Sequence, residues 1–213
     1  MADIPSREEM TKALEERHGV EVQRRFSEAS VAICGLGGLG SNIAIMLARA
    51  GIGRFHLIDY DKVDLSNLNR QQYAVSQLGM YKTQALADTL KAIAPYCEVV
   101  MDTVRVTEDN IEELLRGEQI ICEAFDQAEA KAMLVNGVIE HFPEKYLLSG
   151  SGMSGFGSAN EIKTRKLTKH VYLCGDGVSD IADGIGLVSS RVMVCAAHEA
   201  HMVLRILLEE YEV

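Results

Sequence analysis

The chain has 213 residues, 47% of them hydrophobic, which is enough for one α/β domain with a substantial buried core. Its 31 acids against 21 bases leave a formal charge of −10 with no basic stripe, arguing against nucleic acid or an anionic membrane as the main partner. The start, MADIPSREEM, is charged and lacks the apolar core of a secretory signal, no apolar run approaches the roughly 18 residues of a membrane span, and five dispersed cysteines fit reduced thiols in a cytoplasmic setting.

Residues 1–29 read as a charged, helix-prone arm, interrupted at Gly19, ahead of a single domain over 30–213. A β-prone run at 30–34 feeds the turn Gly35-Leu36-Gly37-Gly38-Leu39-Gly40, and 39–50 has the pattern of a helix. Gly35, Gly37 and Gly40 have the spacing Gly-x-Gly-x-x-Gly. The first lets the chain turn, the second lets backbone approach a phosphate, and the third lets the helix pack close with its positive end facing the anion. The spacing predicts a nucleotide phosphate here but does not choose between nicotinamide, flavin and ATP, and a turn that serves packing alone has the same form. A second strand at 54–58 ends at Asp59; 59–79 is polar and irregular, and helical periodicity over 82–94 stops at Pro95. A third strand at 98–106, a short helix at 108–115 capped by Thr107, a fourth strand at 119–124, a helix at 128–141 and a fifth strand at 146–149 follow. This alternation predicts a mostly parallel sheet with helices on both faces. Beyond it, 150–157 reads as a flexible glycine-rich stretch and 162–166 as a short strand. Residues 168–186, with three glycines before Ile185 and three aspartates, read as a mobile loop, and a long helix over 187–210 closes the chain.

The stretch after the second strand separates the nucleotide classes. A nicotinamide enzyme expects one acid there for the ribose, a role open to Asp59. The sequence continues as Asp61-Lys62-Val63-Asp64-Leu65-Ser66-Asn67-Leu68-Asn69-Arg70-Gln71-Gln72, with Lys82 further on and Asp126 directly after the fourth strand. Arg70 can make paired hydrogen bonds to phosphate oxygens and Lys82 adds a compact charge. Two cations near a carboxylate cluster suit a triphosphate with its magnesium ion. Each residue also has a plainer reading: Asp64 capping the turn through Ser66, Arg70 in a surface ion pair, Lys82 as an ordinary first-turn residue, Asp126 capping the helix after it.

Taken together, GLGGLG, DYDKVDLSNLNRQ, GMYK around Lys82 and FD at Asp126 resemble the ubiquitin-activating-enzyme superfamily, in the family's own order, with similarity from about Arg17 to the final helix. The YLCGDG segment and the helical arm most resemble its compact ThiF-like branch, whose members adenylate the sulfur-carrier protein ThiS of thiamine biosynthesis. The resemblance implies a Rossmann-like α/β fold in which Gly35, Gly37, Gly38 and Gly40 cradle ATP and Asp59 bonds the ribose. It places Asp61, Asn67, Arg70 and Gln71 in the ATP-contacting segment, with Arg70 on the phosphates. Lys82 matches the catalytic lysine near the α-phosphate and Asp126 the magnesium-associated aspartate. Arg17 matches an arginine that reaches the phosphates of the neighbouring subunit of a homodimer, with Arg24 and Arg25 as alternatives. The implied partner is a small ubiquitin-like sulfur carrier ending in Gly-Gly.

Two departures bear on this expectation. Many relatives hold structural zinc with two Cys-x-x-Cys pairs; Val171-Tyr172-Leu173-Cys174 stands where the first would lie, arguing against zinc. A sulfur-accepting cysteine of some relatives is replaced by Ile181, Ala182 and Asp183, leaving Cys174 as the nearest thiol. His198 and His201 share a helix face, for which packing outweighs a metal site. Three other readings stay open. One is an adenylating relative acting on a molybdopterin carrier, a peptide or a threonylcarbamoyladenosine-modified tRNA. The others are a non-catalytic scaffold and a nicotinamide dehydrogenase.

Overall fold

A computed structural model describes residues 4–184 and 186–213; positions 1–3 of the expected arm and Ile185 of the expected loop lie outside the described residues. Two helices, α1 (Arg7–His18) and α2 (Val20–Glu28), open the chain, separated by Gly19, whose φ of +93° breaks the run as its position suggests. Ser6 and Glu9 form a capping box at the start of α1. The next elements are β1 (Ser30–Cys34), α3 (Gly38–Ala50), β2 (Arg54–Ile58), α4 (Lys82–Ile93) and β3 (Glu98–Asp102). There follow α5 (Ile111–Leu114), β4 (Ile120–Glu123), α6 (Ala128–His141), β5 (Tyr146–Gly150), β6 (Lys163–Lys166), β7 (Val171–Gly175) and α7 (Ser189–Leu207).

Among the described residues seven strands form one sheet in the order β3-β2-β1-β4-β5-β7-β6, parallel throughout except for the antiparallel edge strand β6. Alternation along β1 divides the core: Val31 and Ile33 face α2, α3, α4 and α7, while Ala32 and Cys34 face α5 and α6. Burial on both faces is why these strands read as apolar runs. Strand β1 lies between β2 and β4, so the chain crosses over in opposite directions from it. That switch point opens a crevice at the carboxyl ends of the strands, the usual ligand position in such sheets. Among the described residues no helix is long and apolar enough to cross a membrane.

The structure corrects three element readings. Part of the loop expected over 168–186 is β7, hydrogen-bonded between β5 and β6 with Tyr172 and Cys174 fully buried. Counting glycines and aspartates across the whole window concealed the apolar run at its start. The third strand stops at Asp102, four residues earlier than expected, where it has run the length of β2, its one strand partner. The helix expected over 108–115 shrinks to one turn, and the side-chain oxygen of Asn110, not of Thr107, takes part in the local bond, accepting from Thr107 N at 2.8 Å.

Candidate active site

The glycine turn is shaped by close contact. Gly35 has a φ of +90°, and a Cβ there would lie 2.8 Å from the Ala124 carbonyl oxygen. A Cβ on Gly40 would lie 1.9 Å from the Gly35 carbonyl oxygen, so α3 packs against its own turn at a distance open only to glycine. Gly37 and Gly38 face the residues that follow β2: Gln71 Nε2 is 3.7 Å from a Cβ on Gly37 and Arg70 Cγ 3.4 Å from one on Gly38. Asp59, at the end of β2, locks the turn in place. Its Oδ2 accepts from Leu36 N at 2.7 Å and its Oδ1 from Asp61 N at 2.8 Å. Tyr73 adds a hydroxyl donated to the Leu36 carbonyl at 2.7 Å.

Together these elements bound a cleft of about 360 Å³, lined by the expected Gly35, Gly37, Gly38, Asp59, Asp61, Asn67, Arg70, Gln71, Lys82 and Asp126. Gly40 does not line it; it acts behind the wall. Arg17 does not line it either, lying exposed on α1. Lys82, the first residue of α4, is buried, with Nζ 2.8 Å from Asp61 Oδ2 and 3.8 Å from Asp59 Oδ2. A cation at a helix N-terminus opposes the helix dipole, and here two carboxylates offset that cost. Burial raises the Asp59 carboxyl above its usual range, although the Lys82 ammonium pulls it back. Arg70 donates from Nη1 to the Ser66 carbonyl at 3.2 Å and to Asn69 Oδ1 at 2.9 Å, while its buried Nε and the buried Oε1 of Gln71 have no partner among the described residues. Orphaned polar atoms of this kind mark a site shaped for a ligand.

The plainer readings divide. Asp64 is a turn residue, accepting from Ser66 N at 2.9 Å and from Ser66 Oγ at 2.6 Å. Asp126 caps nothing: the α6 N-cap is Gln127, with no side-chain cap, and Asp126 is exposed at the cleft. Cys174 is fully buried on β7 and its thiol is pushed up by burial, so it is not presented as a nucleophile. His198 bonds Thr164 Oγ1 at 3.0 Å through Nδ1. Among the described residues no three His, Cys, Asp or Glu side chains gather as a metal site.

Several polar residues around the cleft escaped the sequence reading. Glu123 ends β4 fully buried and pairs with Lys131 of α6. Glu199 of α7 is also fully buried, and neither carboxyl oxygen has a partner among the described residues. Asp176 and Arg191 form a nearly buried pair at 2.6 Å that ties the 176–184 segment to α7. An acid closing the apolar run QIIC, and another on the apolar stripe of the last helix, were the available signals.

Comparisons with known proteins give the family and the fold. The adenylyltransferase and sulfurtransferase MOCS3 of Aedes aegypti is 33% identical over 136 residues, 63% of this chain and 31% of that protein. The tRNA threonylcarbamoyladenosine dehydratase of Escherichia coli is 35% identical over 120 residues, 55% of this chain and 45% of that protein. The chain thus matches less than half the length of these curated relatives. The structure of E. coli tRNA N6-threonylcarbamoyladenosine dehydratase, TcdA, in complex with ATP superposes with a TM-score of 0.86, covering 98% of both chains at 22% identity, a likeness of fold. E. coli MccB superposes with a TM-score of 0.69 over 90% of this chain and 59% of that one, at 20% identity. The sequence profile of the ThiF family matches residues 10–212, nearly the whole chain, and the protein therefore belongs to the ThiF family.

Proposed function

We propose that this protein binds ATP in the glycine-turn cleft and adenylates the C-terminal glycine carboxylate of a small ubiquitin-like sulfur carrier, ThiS-like, in thiamine thiazole biosynthesis. The observation that carries this reading is the meeting of Arg70, Lys82 and Asp126 in one cleft beside the turn. One carboxylate oxygen of the acceptor attacks the α-phosphorus in line. A P–O bond forms to the carrier, the bond to the bridging oxygen breaks, and its electron pair leaves with pyrophosphate. No protein nucleophile or proton transfer is needed, because a terminal carboxylate is already ionised near neutral pH. Lys82, presented by α4, and Arg70 hold the phosphates and stabilise the charge that grows between them. Asp59 receives the ribose hydroxyls, its oxygens having lone pairs left beside the two backbone bonds. Magnesium fits the exposed Asp126 carboxylate, since this ion takes one or two carboxylates and completes its shell with phosphate oxygens and water; when bound it neutralises phosphate charge. In a homodimer, Arg17 would serve the neighbouring subunit's cleft.

A second acceptor is a threonylcarbamoyladenosine-modified tRNA, favoured by the 35% identity to the dehydratase and opposed by the formal charge of −10. Incubation with ATP and either a Gly-Gly-tailed carrier or the modified tRNA separates the two. A carrier heavier by one adenylate, seen by mass spectrometry with pyrophosphate release, is the expected result. Turnover of the tRNA alone would replace the carrier reading, and turnover of neither would leave a nucleotide-binding scaffold.

A further inference from the structure

The cleft contains a cation that the mechanism above does not use. Lys131 is the fourth residue of α6, a poor place for a positive charge because the helix dipole opposes it there. Its Nζ bonds Glu123 Oε2 at 2.5 Å, while a quarter of the side chain stays accessible and lines the cleft. Glu123 is fully buried and fully committed: Oε1 accepts from Phe125 N at 2.8 Å and Oε2 also accepts from Ser149 Oγ at 2.5 Å. The ammonium is therefore pinned by a buried carboxylate on a side chain that lines the cavity. A buried ion pair adds little stability over apolar packing, so its presence at the end of a core strand points to a need for the charge itself.

Position says what the charge is for. Asp59 and Tyr60, at the end of β2, mark the nucleoside side of the turn. Glu123 and Ser149 lie at the ends of β4 and β5, across β1 from it, and Glu123 holds Lys131 of α6 on that side. A second cavity, about 580 Å³, meets the cleft at Ser154 and Ser179, residues that line both. Four aspartates, at 59, 61, 126 and 180, line the cleft, so an incoming carboxylate is repelled unless a cation waits on its side. Lys82 already faces Asp61 and Asp59, Arg70 is assigned to the phosphates, and Arg105 lies over the Tyr60 ring on the nucleoside side, which leaves Lys131 on the opposite side of the cleft.

We propose that Lys131 is the acceptor-binding residue: its ammonium receives the attacking carboxylate and then the carbonyl oxygen of the acyl-adenylate, while Glu123 acts as the positioning residue that aims it. This rests on the reading of the cleft as an acyl-adenylate former. The probe is acetylglycyl-sulfamoyl adenosine, a stable acyl-adenylate mimic, compared with AMP by titration calorimetry on the full chain. Wild type binds the mimic more tightly than AMP. Lys131→Met loses about ten- to a hundredfold for the mimic while AMP affinity stays within about twofold. Because Lys131→Met strands a buried carboxylate, the double variant Lys131→Met/Glu123→Gln is measured as well; it recovers melting temperature but not mimic affinity. Lys131→Arg retains part of it. Recovery of mimic affinity in the double variant would make Lys131 a mere structural partner of Glu123, and an equal loss for AMP would move it to the phosphates. A wild type that does not distinguish mimic from AMP would overturn the acyl-adenylate reading itself, and this inference with it.

Discussion

Gly40→Ala tests whether close helix packing shapes the phosphate cradle. The added methyl would lie 1.9 Å from the Gly35 carbonyl oxygen and 3.0 Å from both the Gly35 carbonyl carbon and Ile33 Cγ2. The first two are backbone atoms and cannot rotate aside. Helix α3 and the turn must therefore part by about 1.5 Å to restore ordinary contact. Alanine favours the helix by about 1 kcal/mol, but overpacking costs about 1–3 kcal/mol and more where backbone must move. Overpacking wins, by about 1–2 kcal/mol, and the melting temperature falls by about 5 °C for a chain of this size. The same displacement swings the turn's amides away from the phosphates and weakens ATP binding about tenfold. Gly117→Ala is the control, since nothing lies within 4 Å of a Cβ there; it should stay within about 0.5 kcal/mol of wild type. Thermal unfolding and ATP titration calorimetry read both variants. If Gly40→Ala melted and bound ATP like Gly117→Ala, close packing at this glycine would have no part in the site.

Lys82→Ala and Asp126→Ala should each lower carrier-dependent ATP–pyrophosphate exchange by about two to three decades while circular dichroism shows a folded chain. Near-normal exchange in both would remove them from the chemistry. Burial holds the Glu199 carboxyl above its ordinary range, opposed by Lys131 and reinforced by Glu123. With the folded value above the unfolded 4.5, its stabilisation is complete below that pH and drains as pH rises. Glu199→Gln has no such proton to lose, so its melting temperature should fall less than wild type's between about pH 5 and pH 8; parallel profiles would contradict a buried neutral acid. Burial pushes the Asp176 carboxyl up, but hydrogen bonds from Val178, Ser179 and Arg191 outweigh it and hold the group low. Its stabilisation is therefore present above the unfolded 3.8 and lost as pH falls. Asp176→Asn leaves the buried Arg191 guanidinium with only its longer contact to the exposed Glu161 carboxylate at 3.6 Å and should cost about 3 kcal/mol at neutral pH, read as a lower denaturant midpoint at unchanged slope. A midpoint equal to wild type's would show that water or Glu161 compensates the guanidinium.

Local chemistry is legible in a sequence because it depends on neighbours along the chain. The turn at Gly35–Gly40, the strands at β1 and β2, the start of α4 at Lys82 and the helix break at Gly19 all follow from spacing, periodicity and the conformational freedom of glycine. The convergence of Asp59, Arg70, Lys82 and Asp126 on one cleft was legible for the same reason: each sits directly after a strand or beside a turn, where a parallel sheet brings its carboxyl ends together. Strand β7 was not, since its apolar run is short and followed at once by glycines and aspartates; only its pairing with β5 and β6 makes it a strand. The pairs Glu123 with Lys131 and Asp176 with Arg191, and the stranded carboxyl of Glu199, were invisible for a deeper reason. Whether an ionisable group is solvated, paired or neutral depends on what surrounds it in three dimensions. Residue order carries the glycine turn and the acids and bases beside it; only packing decides which of those charges face the cleft and which are held behind it.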